Sequence, residues 1–325
     1  MKETVLVSGG AGYIGSVLVR LLLAEGYSVK VIDNLSFGGV PIIDLLNDEN
    51  FTFVKGDVRH EDDLRHALKG VDQAVHLAGI VGDPACAKQP ELARAVNLDG
   101  SRLFYRLANE TGIQRFVFAS TCSNYGKMED PESYVSEESL LAPVSLYAET
   151  KVEIERFLLD QPRSMTCKPT SLRFSTVYGL SPRPRFDLTV NEFTKELALG
   201  RELVVFGEQF WRPYCHVVDL CRSVITVLKA REEKVAFNVF NVGDTSENYQ
   251  KQMIVDEIVK QIPDAKIQYV KKDEDPRDYR VSFEKISEEL GFSITKKVPD
   301  GISQIFQVVR DGFIPDPDKQ EYRNI

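Results

Sequence analysis

The sequence lacks the features that mark membrane-spanning, secreted and metal-held proteins. No apolar run in its 325 residues approaches the roughly 20 residues that a membrane-spanning helix needs, and Met1-Lys2-Glu3 leads straight into an apolar strand rather than a signal peptide. The five cysteines are odd in number and form no Cys-x-x-Cys pair, and the four histidines show no ligand spacing. These absences predict a cytoplasmic protein with reduced thiols and no structural metal.

Positive charge is also in short supply. The chain has 40 Lys and Arg against 49 Asp and Glu, which gives a formal net charge of -9, and no run of like charge stands out as a tail. A surface of this sign repels phosphate backbones, so nucleic acid is not an expected partner and small molecules are. The length is enough for a sizeable core, as one domain with a lobe or two closely joined domains.

A glycine-rich loop near the start of the chain joins an apolar strand, Val5 to Val7, to a helix-forming segment, Ser16 to Leu23. Such glycines allow a tight turn, a close approach of the backbone to a pyrophosphate, and close packing of helix on strand. The pattern predicts a pyrophosphate on the N–H groups of the helix N-terminus, although a plain strand-to-helix turn is the alternative. Four glycines give two overlapping fingerprints, G-x-G-x-x-G and G-x-x-G-x-x-G: Gly9, Gly10, Gly12 and Gly15.

An acid ends the second predicted strand, Tyr27 to Asp33. Asp33 stands at about the spacing from the glycine loop where a carboxylate accepts hydrogen bonds from the adenosine ribose hydroxyls. This carboxylate repels a 2′-phosphate, and no arginine follows it directly in Asn34 to Gly38. The predicted cofactor is therefore NAD rather than NADP, and an ordinary turn acid is the alternative.

Apolar runs alternate with helix-period segments through the first half, which predicts an α/β fold, a Rossmann-type doubly wound parallel sheet. Asp57 follows the third predicted strand, and two roles stay open for it, a contact to the adenine amino group or a cap of the next helix. The fourth predicted strand, Gln73 to Gly79, ends in small residues where ligands of open α/β sheets bind. We predict an NAD-binding domain over 1–175 that holds the catalytic residues, and mainly a smaller α/β substrate lobe over 176–325, with the chain crossing between them.

A polar stretch and a Tyr-x-x-x-Lys pair supply the candidate chemistry. The fifth predicted strand runs into Ser120 to Gly126, and Tyr147 and Lys151 lie four residues apart on one helix face. A phenol with a pKa of about 10 is a poor base at neutral pH, but an ammonium and a positive nicotinamide ring stabilise its anion. Tyr147 is therefore predicted to take a proton from a sugar hydroxyl, which Thr121 hydrogen-bonds, while hydride leaves the same carbon. Asn97 is predicted to hold its helix and a water near the lysine. A solvated helix face is the alternative for the Tyr and Lys pair.

Six motifs, in this order, resemble the extended short-chain dehydrogenases, a family of NAD-dependent nucleotide-sugar epimerases and dehydratases. The resemblance covers nearly the whole chain. It implies that Thr121, Tyr147, Lys151 and Asn97 are catalytic. It also implies that NAD binds in the N-terminal domain and a nucleoside-diphosphate sugar in the smaller lobe. The motifs are Gly9 to Gly15, Asp33 to Ser36, Gly56 to Arg59, His76 to Ala78, Ser120 to Gly126 and Tyr147 to Lys151.

The same resemblance implies cofactor contacts at the ends of the first four strands and a homodimer. The dimer helices correspond to Leu92–Asn109 and Leu146–Leu159. The implied NAD-binding residues are Gly9, Gly12, Tyr13, Ile14, Gly15, Asp33, Asn34, Ser36, Asp57, Val58, Leu77, Ala78, Gly79 and Lys151.

The predicted substrate contacts lie in the second half of the chain. Thr176 stands where the family's R-Y-F-N-x-x-G stretch carries an asparagine that contacts substrate. A basic loop follows with Arg183 and Arg185, whose guanidinium groups suit a diphosphate, and a solvated loop is the alternative. Asn191 in the next predicted helix belongs to the same predicted set.

Two further arginines complete this set. Arg212 takes the position of the family arginine that binds the substrate diphosphate, and Arg277 resembles another nucleotide-side contact. Three motifs, Ser-Pro-Arg-x-Arg, Phe-x-Arg before Tyr214, and Asp-Pro-x-x-Asp-Tyr, are similar to a subgroup that includes GDP-heptose 4-dehydrogenases. The tail from Phe313 onward is predicted to be peripheral.

The two residues after Thr121 bear on the reaction. The dehydratases that this chain resembles carry Asp-Glu there, to remove a C5 proton and protonate the departing C6 hydroxyl, whereas this chain has Cys122-Ser123. We predict NAD-dependent oxidation at C4 of a nucleoside-diphosphate sugar without elimination, by a 4-epimerase or a 4-dehydrogenase of polysaccharide or glycoconjugate sugar biosynthesis. The alternatives are an NAD(P)-dependent 4-ketoreductase and a non-catalytic dinucleotide sensor of the same fold.

Overall fold

A computed structural model describes residues 2–128, 130, 133–272 and 277–324 of the chain. The strands are β1 (Thr4–Ser8), β2 (Ser28–Asp33), β3 (Phe51–Lys55), β4 (Gln73–His76), β5 (Arg115–Thr121), β6 (Lys168–Phe174), β7 (Thr176–Tyr178), β8 (Glu202–Phe206), β9 (Trp211–His216), β10 (Asn238–Val242), β11 (Asn248–Gln250) and β12 (Lys266–Val270). The α-helices are α1 (Tyr13–Ala24), α2 (Glu61–Leu68), α3 (Asp83–Lys88), α4 (Pro90–Arg94), α5 (Ser101–Glu110), α6 (Leu146–Leu159), α7 (Thr189–Ala198), α8 (Val217–Lys229), α9 (Glu232–Val235), α10 (Lys251–Gln261), α11 (Glu284–Leu290) and α12 (Val298–Arg310).

Seven parallel strands form the main sheet in the order β10-β6-β5-β4-β1-β2-β3. The order reverses between β1 and β4, which is where open α/β sheets bind ligands at the carboxyl ends of their strands. Successive residues of β1 pack into different cores, Val5 and Val7 on one face and Leu6 on the other. Burial on both faces explains why these strands read as continuous apolar runs. The predicted Rossmann-type doubly wound sheet is confirmed.

The chain returns from its second half into this sheet. Strand β10 pairs with β6, and apolar residues of α8 such as Leu220 and Val224 share a core with Leu18 of α1. Strand β10 thus completes the main sheet, and helix α8 covers it beside α1, although both follow residue 175 in the chain.

The smaller lobe carries two short sheets, β11-β9-β7 and β12-β8. Its core is separate from those of the main sheet and includes Val190 of α7, Ile254 of α10 and Ile302 of α12. Strands β6 and β7 are separated only by Ser175, so β7 begins directly at the carboxyl edge of the main sheet. The short strand pair β7 and β9 therefore lies next to the carboxyl edge of that sheet, where ligands bind. Across the described ranges, the helices are too short or too polar to cross a membrane.

Candidate active site

The glycine loop lies against the carboxyl end of β4. Gly9 has φ +75°, and a Cβ built on it falls 2.8 Å from the Ala78 nitrogen. A Cβ on Gly15 falls 2.1 Å from the Gly9 carbonyl oxygen, so helix α1 approaches the loop in a way that only glycine allows. Gly12 caps α1 without a side chain, which leaves the N–H groups of its first turn, at Tyr13 and Ile14, directed at the sheet edge. This cradle fits a dinucleotide pyrophosphate.

Asp33 ends β2 beside this loop. Its Oδ2 accepts from the Ala11 amide at 3.0 Å and its Oδ1 from the Leu35 amide at 2.8 Å, so the carboxylate is fixed with one lone pair left on each oxygen. Burial raises the pKa of Asp33, and the two amides oppose that shift. Leu35 adopts φ +61°, a strained conformation for leucine, and this bends the chain around the carboxylate. The geometry fits a ribose with two free hydroxyls.

Asp57 is held by neighbours on the same side of the site. Arg59 donates to it through Nε at 2.9 Å and NH2 at 2.7 Å, and Asn34 donates at 3.2 Å. The Arg59 guanidinium holds the pKa of Asp57 well below its usual range. Helix α2 begins at Glu61 with His60 as its N-cap, so Asp57 does not cap that helix. The adenine contact stays a prediction for Asp57.

Two more predicted cofactor residues shape the loops beside Asp57. Ser36 donates through its amide and its hydroxyl to Asn34 Oδ1, at 3.0 and 2.6 Å, and so closes the loop after β2. The buried Val58 packs on Gly100, because a Cβ on that glycine falls 3.1 Å from a Val58 methyl group.

The end of β4 is fixed by a buried histidine that the sequence reasoning did not select. His76 shares hydrogen bonds with Ser8 at 2.7 Å and Ser101 at 2.8 Å, which ties β4 to β1 and α5. The Leu77 amide donates to the Ser8 carbonyl at 3.1 Å. Burial lowers the pKa of His76 to about 3, so the ring is neutral and structural. A polar side chain within the otherwise apolar run from Ala74 to Ala78 was the available sequence signal.

Thr121, Tyr147 and Lys151 converge at the ends of β5 and α6. The Thr121 side chain lies next to the Tyr147 phenol and lowers its pKa, and the Thr121 hydroxyl accepts from the Ser123 amide at 3.1 Å. The Lys151 ammonium lies 6.0 Å from the centre of the Tyr147 ring and donates to the Ala119 carbonyl at 2.7 Å. Ser145 caps α6, so Tyr147 stands in the first turn of that helix. The predicted pair therefore shares one face that points into the site.

Burial has the largest effect on the pKa values of both Tyr147 and Lys151. Burial raises the pKa of Tyr147 well above that of a free phenol, and the nearby Cys86 and Asp83 add to this rise. Burial lowers the pKa of Lys151 to about 8. The Lys151 ammonium is directed at a backbone carbonyl, and stabilisation of the phenolate by Lys151 together with a bound nicotinamide ring stays a prediction.

Asn97 fastens the loop that follows β4. Its Oδ1 accepts from the Ile80 amide at 2.8 Å and its Nδ2 donates to the Ile80 carbonyl at 3.0 Å. It lies in a π-helical turn, Ala95–Gly100, of the kind often found at functional sites. A Cβ on Gly79 falls 3.1 Å from Asn97 Oδ1 and 3.9 Å from Lys151 Nζ, so these three residues meet at one point.

A buried ion pair behind the predicted catalytic residues was not predicted from the sequence. Arg173 NH2 lies 2.5 Å from Glu155 Oε1, and both side chains are almost fully buried. Ser120 donates to Glu155 at 2.8 Å, and Arg173 donates to Tyr125 at 2.7 Å. The pair locks α6 against β5 and β6. The sequence signal that could have indicated this ion pair is the position of Glu155, one helical turn after Lys151.

On the substrate side, Arg212 and Arg277 both lie beside Tyr279, and each lowers the pKa of its phenol against the opposing effect of burial. Arg277 donates to Asp83 Oδ2 at 2.7 Å. Asp83 was not selected from the sequence, and its Oδ1 accepts from the Ser145 hydroxyl at 2.6 Å. Residues 275 and 276 of the Asp-Pro-x-x-Asp-Tyr motif lie outside the described residues.

The arginines of the 183–185 loop are engaged by the protein itself. Arg185 pairs with Asp187 at 2.7 and 2.9 Å. Arg183 donates to Asn324 Oδ1 at 2.6 Å and stacks 3.8 Å from the centre of the Phe37 ring. This placement turns Arg183 toward the cofactor side, so it does not support the predicted contact with the substrate diphosphate. The tail predicted to be peripheral is instead docked, since its residue Asn324 holds this guanidinium.

The other predicted substrate residues are Asn191 and Thr176. Asn191 uses its amide within the protein, accepting from the Gly179 amide at 2.9 Å and donating to the Arg185 carbonyl at 2.9 Å. It shapes the loop rather than reaching into the cleft. Thr176 is half-buried at the start of β7, opposite Tyr214 of β9. All five cysteines are buried and unpaired, and in the described part of the chain no three His, Cys, Asp or Glu side chains cluster as metal ligands.

Comparison with known proteins gives the family of this site. The sequence profile described as the NAD dependent epimerase/dehydratase family matches residues 5–243. A dTDP-glucose 4,6-dehydratase of Streptomyces niveus is 30% identical over 94% of this chain and 93% of its own length. A UDP-glucose 4-epimerase of Cyamopsis tetragonoloba is 31% identical over 74% of this chain and 76% of its own length.

A solved structure has the same fold. The UDP-glucuronic acid 4-epimerase of Bacillus cereus, in complex with UDP-glucuronic acid and NAD, superimposes with a TM-score of 0.84 at 25% identity. The superposition covers 95% of this chain and 99% of that one. The likeness therefore extends over both the main sheet and the smaller lobe.

Proposed function

The chain belongs to the NAD-dependent epimerase/dehydratase family, and we propose that it oxidises C4 of a nucleoside-diphosphate sugar, as a 4-epimerase or a 4-dehydrogenase. One observation carries this proposal: Thr121, Tyr147 and Lys151 meet at the ligand edge of the sheet, beside the glycine cradle. A protein that only sensed a dinucleotide would have no use for this arrangement. Relatives with this chemistry, both epimerases and dehydratases, support it.

The cofactor is NAD, and the residues present fit it. The first turn of α1 holds the pyrophosphate, Asp33 holds the ribose, and the small residues Ala78 and Gly79 lie at the sheet edge beside the glycine loop. NAD, when bound, accepts the hydride that leaves the sugar carbon.

Tyr147 is the residue that handles the proton. Its phenol lies next to the Thr121 side chain, and a sugar hydroxyl placed between the two can donate its proton to the phenolate. Lys151 sits one helical turn away on the same face and stabilises that anion once its ammonium turns from the Ala119 carbonyl. Asn97 keeps the loop after β4 clear of both side chains.

Arg212 and Arg277 are proposed to hold the diphosphate. The Arg212 guanidinium carbon lies 5.3 Å from the centre of the Tyr279 ring, and the charge of Arg277 also lowers the pKa of that phenol. Arg277 must exchange the Asp83 carboxylate for a phosphate oxygen. The oxygens of a diphosphate are strong acceptors that a guanidinium can bind in pairs.

Elimination of water is not expected. Burial raises the pKa of the Cys122 thiol, which donates to the Arg173 carbonyl at 3.2 Å and so points into the core. Ser123 is a weak acid that accepts from Tyr279 at 3.5 Å. Neither residue can protonate a departing hydroxyl, so the reaction ends at the 4-keto sugar or returns the hydride to give the 4-epimer.

We also propose a cytoplasmic homodimer. The unpaired state of all five buried thiols supports a reducing compartment. Helices α5 and α6 lie side by side, joined by Arg102 and Glu153 at 2.5 Å, and their outer faces are available to a second copy. Light scattering of the purified protein measures the oligomeric state, and a monomeric mass excludes this dimer.

The reaction is tested by incubating the protein with GDP-, UDP-, CDP- and dTDP-sugars and weighing the products. We expect an isomer of equal mass, or a C4 ketone with equimolar NADH. A product lighter by one water contradicts the predicted reaction type. If neither the wild type nor Tyr147→Phe forms any product, the proposal that the protein is an enzyme of this class is contradicted. The Tyr147→Phe protein is the matched control, because it keeps the ring and removes the phenol.

A further inference from the structure

We propose that Arg183 is a cofactor-site residue, which forms the outer wall of the adenosine-ribose pocket opposite Asp33 and donates to the ribose hydroxyl oxygens. The proposal rests on the NAD site described above. It assigns to the cofactor an arginine that sequence reasoning gave to the substrate diphosphate.

The first observation is where Arg183 lies. Its guanidinium carbon stands 3.8 Å from the centre of the Phe37 ring, and the side chain is only 4% exposed. Phe37 belongs to the loop that starts at Asp33, so an arginine 150 residues further along the chain closes the outer side of that loop. The two charged groups are near enough that the guanidinium lowers the pKa of Asp33 against the effect of burial.

The second observation is how the loop carrying Arg183 is anchored. Ser181 donates through its hydroxyl to the Tyr13 carbonyl at 2.6 Å, and its hydroxyl also contacts that of Ser16 at 3.1 Å. The Arg183 amide donates to the Ser181 hydroxyl at 3.3 Å. The loop is thereby bound to the first turn of α1, the same turn that faces the pyrophosphate.

The third observation is an unused donor. NH1 and NH2 of Arg183 donate to Asn324 Oδ1 at 2.6 Å and to the Arg323 carbonyl at 3.2 Å. Nε is buried and meets no acceptor in the described residues. A buried N–H without a partner is costly, so such a group usually marks a place where another acceptor belongs. Here that acceptor is a ribose hydroxyl oxygen.

The chemistry fits the ribose better than it fits a phosphate. A hydroxyl is donor and acceptor together, so it can donate to Asp33 while it accepts from Arg183. A 2′-phosphate is attracted by the guanidinium and repelled by the carboxylate. Arg183 therefore strengthens the binding of NAD. In a variant that lacks the charge of Asp33, it also strengthens the binding of NADP.

The tail from residue 316 to 324 keeps the guanidinium in place. The Asn324 amide donates to Asp187 at 3.1 Å, and the Phe186 amide donates to the Tyr322 carbonyl at 2.9 Å. Asp318 pairs with Lys195 at 2.7 Å, further back on α7. Asn324 is thus a positioning residue for Arg183 within this proposal.

The test is calorimetry of NAD and NADP binding to nucleotide-free protein, which does not depend on catalysis. We expect Arg183→Met to weaken NAD binding about tenfold or more, as loss of a charged hydrogen bond does. Arg163→Met is the matched control, since Arg163 stacks 4.3 Å from the centre of the Phe237 ring at the opposite edge of the sheet. Its NAD affinity stays within about twofold of wild type.

Further variants keep the proposal falsifiable if Arg183→Met does not fold. Asn324→Ala should weaken NAD several-fold. Asp33→Asn should bind NADP, and adding Arg183→Lys should reduce that binding. NAD affinity within twofold of wild type in both folded Arg183→Met and Asn324→Ala overturns the proposal. A protein that binds NAD in this Arg183-dependent way but oxidises no nucleotide sugar would refute the proposed function and leave this inference intact.

Discussion

At the scale of single residues, Tyr147 is the group on which the chemistry depends. Replacing it with phenylalanine keeps the ring packing and removes the proton acceptor, so the rate of hydride transfer should fall about a hundred- to ten-thousandfold. NAD binding should be unchanged. Single-turnover absorbance of NADH measures the rate, and a Tyr147→Phe protein that reduces its NAD at the wild-type rate would place the base elsewhere.

The buried charge of Lys151 should lower the free energy of unfolding of the ligand-free protein. Its pKa falls from 10.5 unfolded to about 8 folded because of burial. Between these values the unfolded chain binds more protons, so this group raises stability as pH increases from 8 to 10.5, and below 8 its full cost of about 3 kcal/mol is present.

Lys151→Met should therefore raise the free energy of unfolding at pH 7 by up to about 3 kcal/mol while activity is lost. Urea unfolding of nucleotide-free protein at pH 7 and pH 9.5 measures this. The difference between variant and wild type should shrink at the higher pH. A difference that is independent of pH would mean that Lys151 is not buried in its charged form.

Asp83 should weaken substrate binding in the wild type, because it competes with the substrate for Arg277. The ion pair is partly exposed, with 40% and 27% of the two side chains accessible, so we expect an effect of at most about 1 kcal/mol. Asp83→Asn still accepts from Ser145 and should lower KM up to about fivefold with kcat retained. Ser145→Ala, which loses the α6 cap, should lower stability by about 1 kcal/mol without lowering KM. A KM that rises in Asp83→Asn would show that Asp83 itself serves the substrate.

Residues with a local pattern were predictable and residues paired over long distances were not. Tyr147 and Lys151 share a helix face by spacing alone, and Asp33 closes a strand at a fixed distance from the glycines. The partner of Arg277 lies 194 residues earlier, and that of Arg183 lies 141 residues later. No periodicity encodes such pairs, so the sequence alone does not show which groups these two arginines face.

At the scale of elements, α6 is the part that holds the catalytic pair, and two ion pairs on it offer a matched comparison. Arg173 and Glu155 are 4% and 2% exposed, whereas Arg102 and Glu153 are 40% and 49% exposed. Glu155→Gln leaves Arg173 buried without its countercharge and should cost about 3 kcal/mol. Glu153→Gln should cost less than about 1 kcal/mol.

Chemical denaturation measures both variants. Comparable losses in Glu155→Gln and Glu153→Gln would contradict the role of the buried pair as the lock on α6. Activity of Glu155→Gln should fall together with its stability, because β5 and α6 then no longer hold Thr121 and Tyr147 in contact.

Most elements were predictable where a pattern was continuous. The second strand, predicted over Tyr27 to Asp33, runs over Ser28–Asp33. The helix implied over Leu92–Asn109 is instead divided into α4, a π-helical turn and α5. Asn97 lies in the turn and bonds to the loop after β4, and that tertiary contact overrides the local periodicity.

At the scale of the whole molecule, the chain crosses repeatedly between the main sheet and the smaller lobe. β10 and α8 return to the main sheet after β7 and α7 have begun the smaller lobe. An alternating βαβ pattern predicts a doubly wound sheet, but not which later segment completes it, since pairing is decided by packing. The nucleotide base and the sugar were likewise unpredictable, because they depend on loops that sequence pattern does not place.

In the proposed reaction, hydride leaves C4 while Tyr147 takes the proton of the same hydroxyl. The most direct measurement uses the reactive nucleotide sugar labelled with deuterium at C4, in a single turnover quenched before any return step. We predict that the bound cofactor becomes heavier by one deuterium, that label at C3 or C6 stays on the sugar, and that Tyr147→Phe transfers little label. Deuterium that stays on the sugar from C4, or reaches the cofactor from C3, would contradict the account.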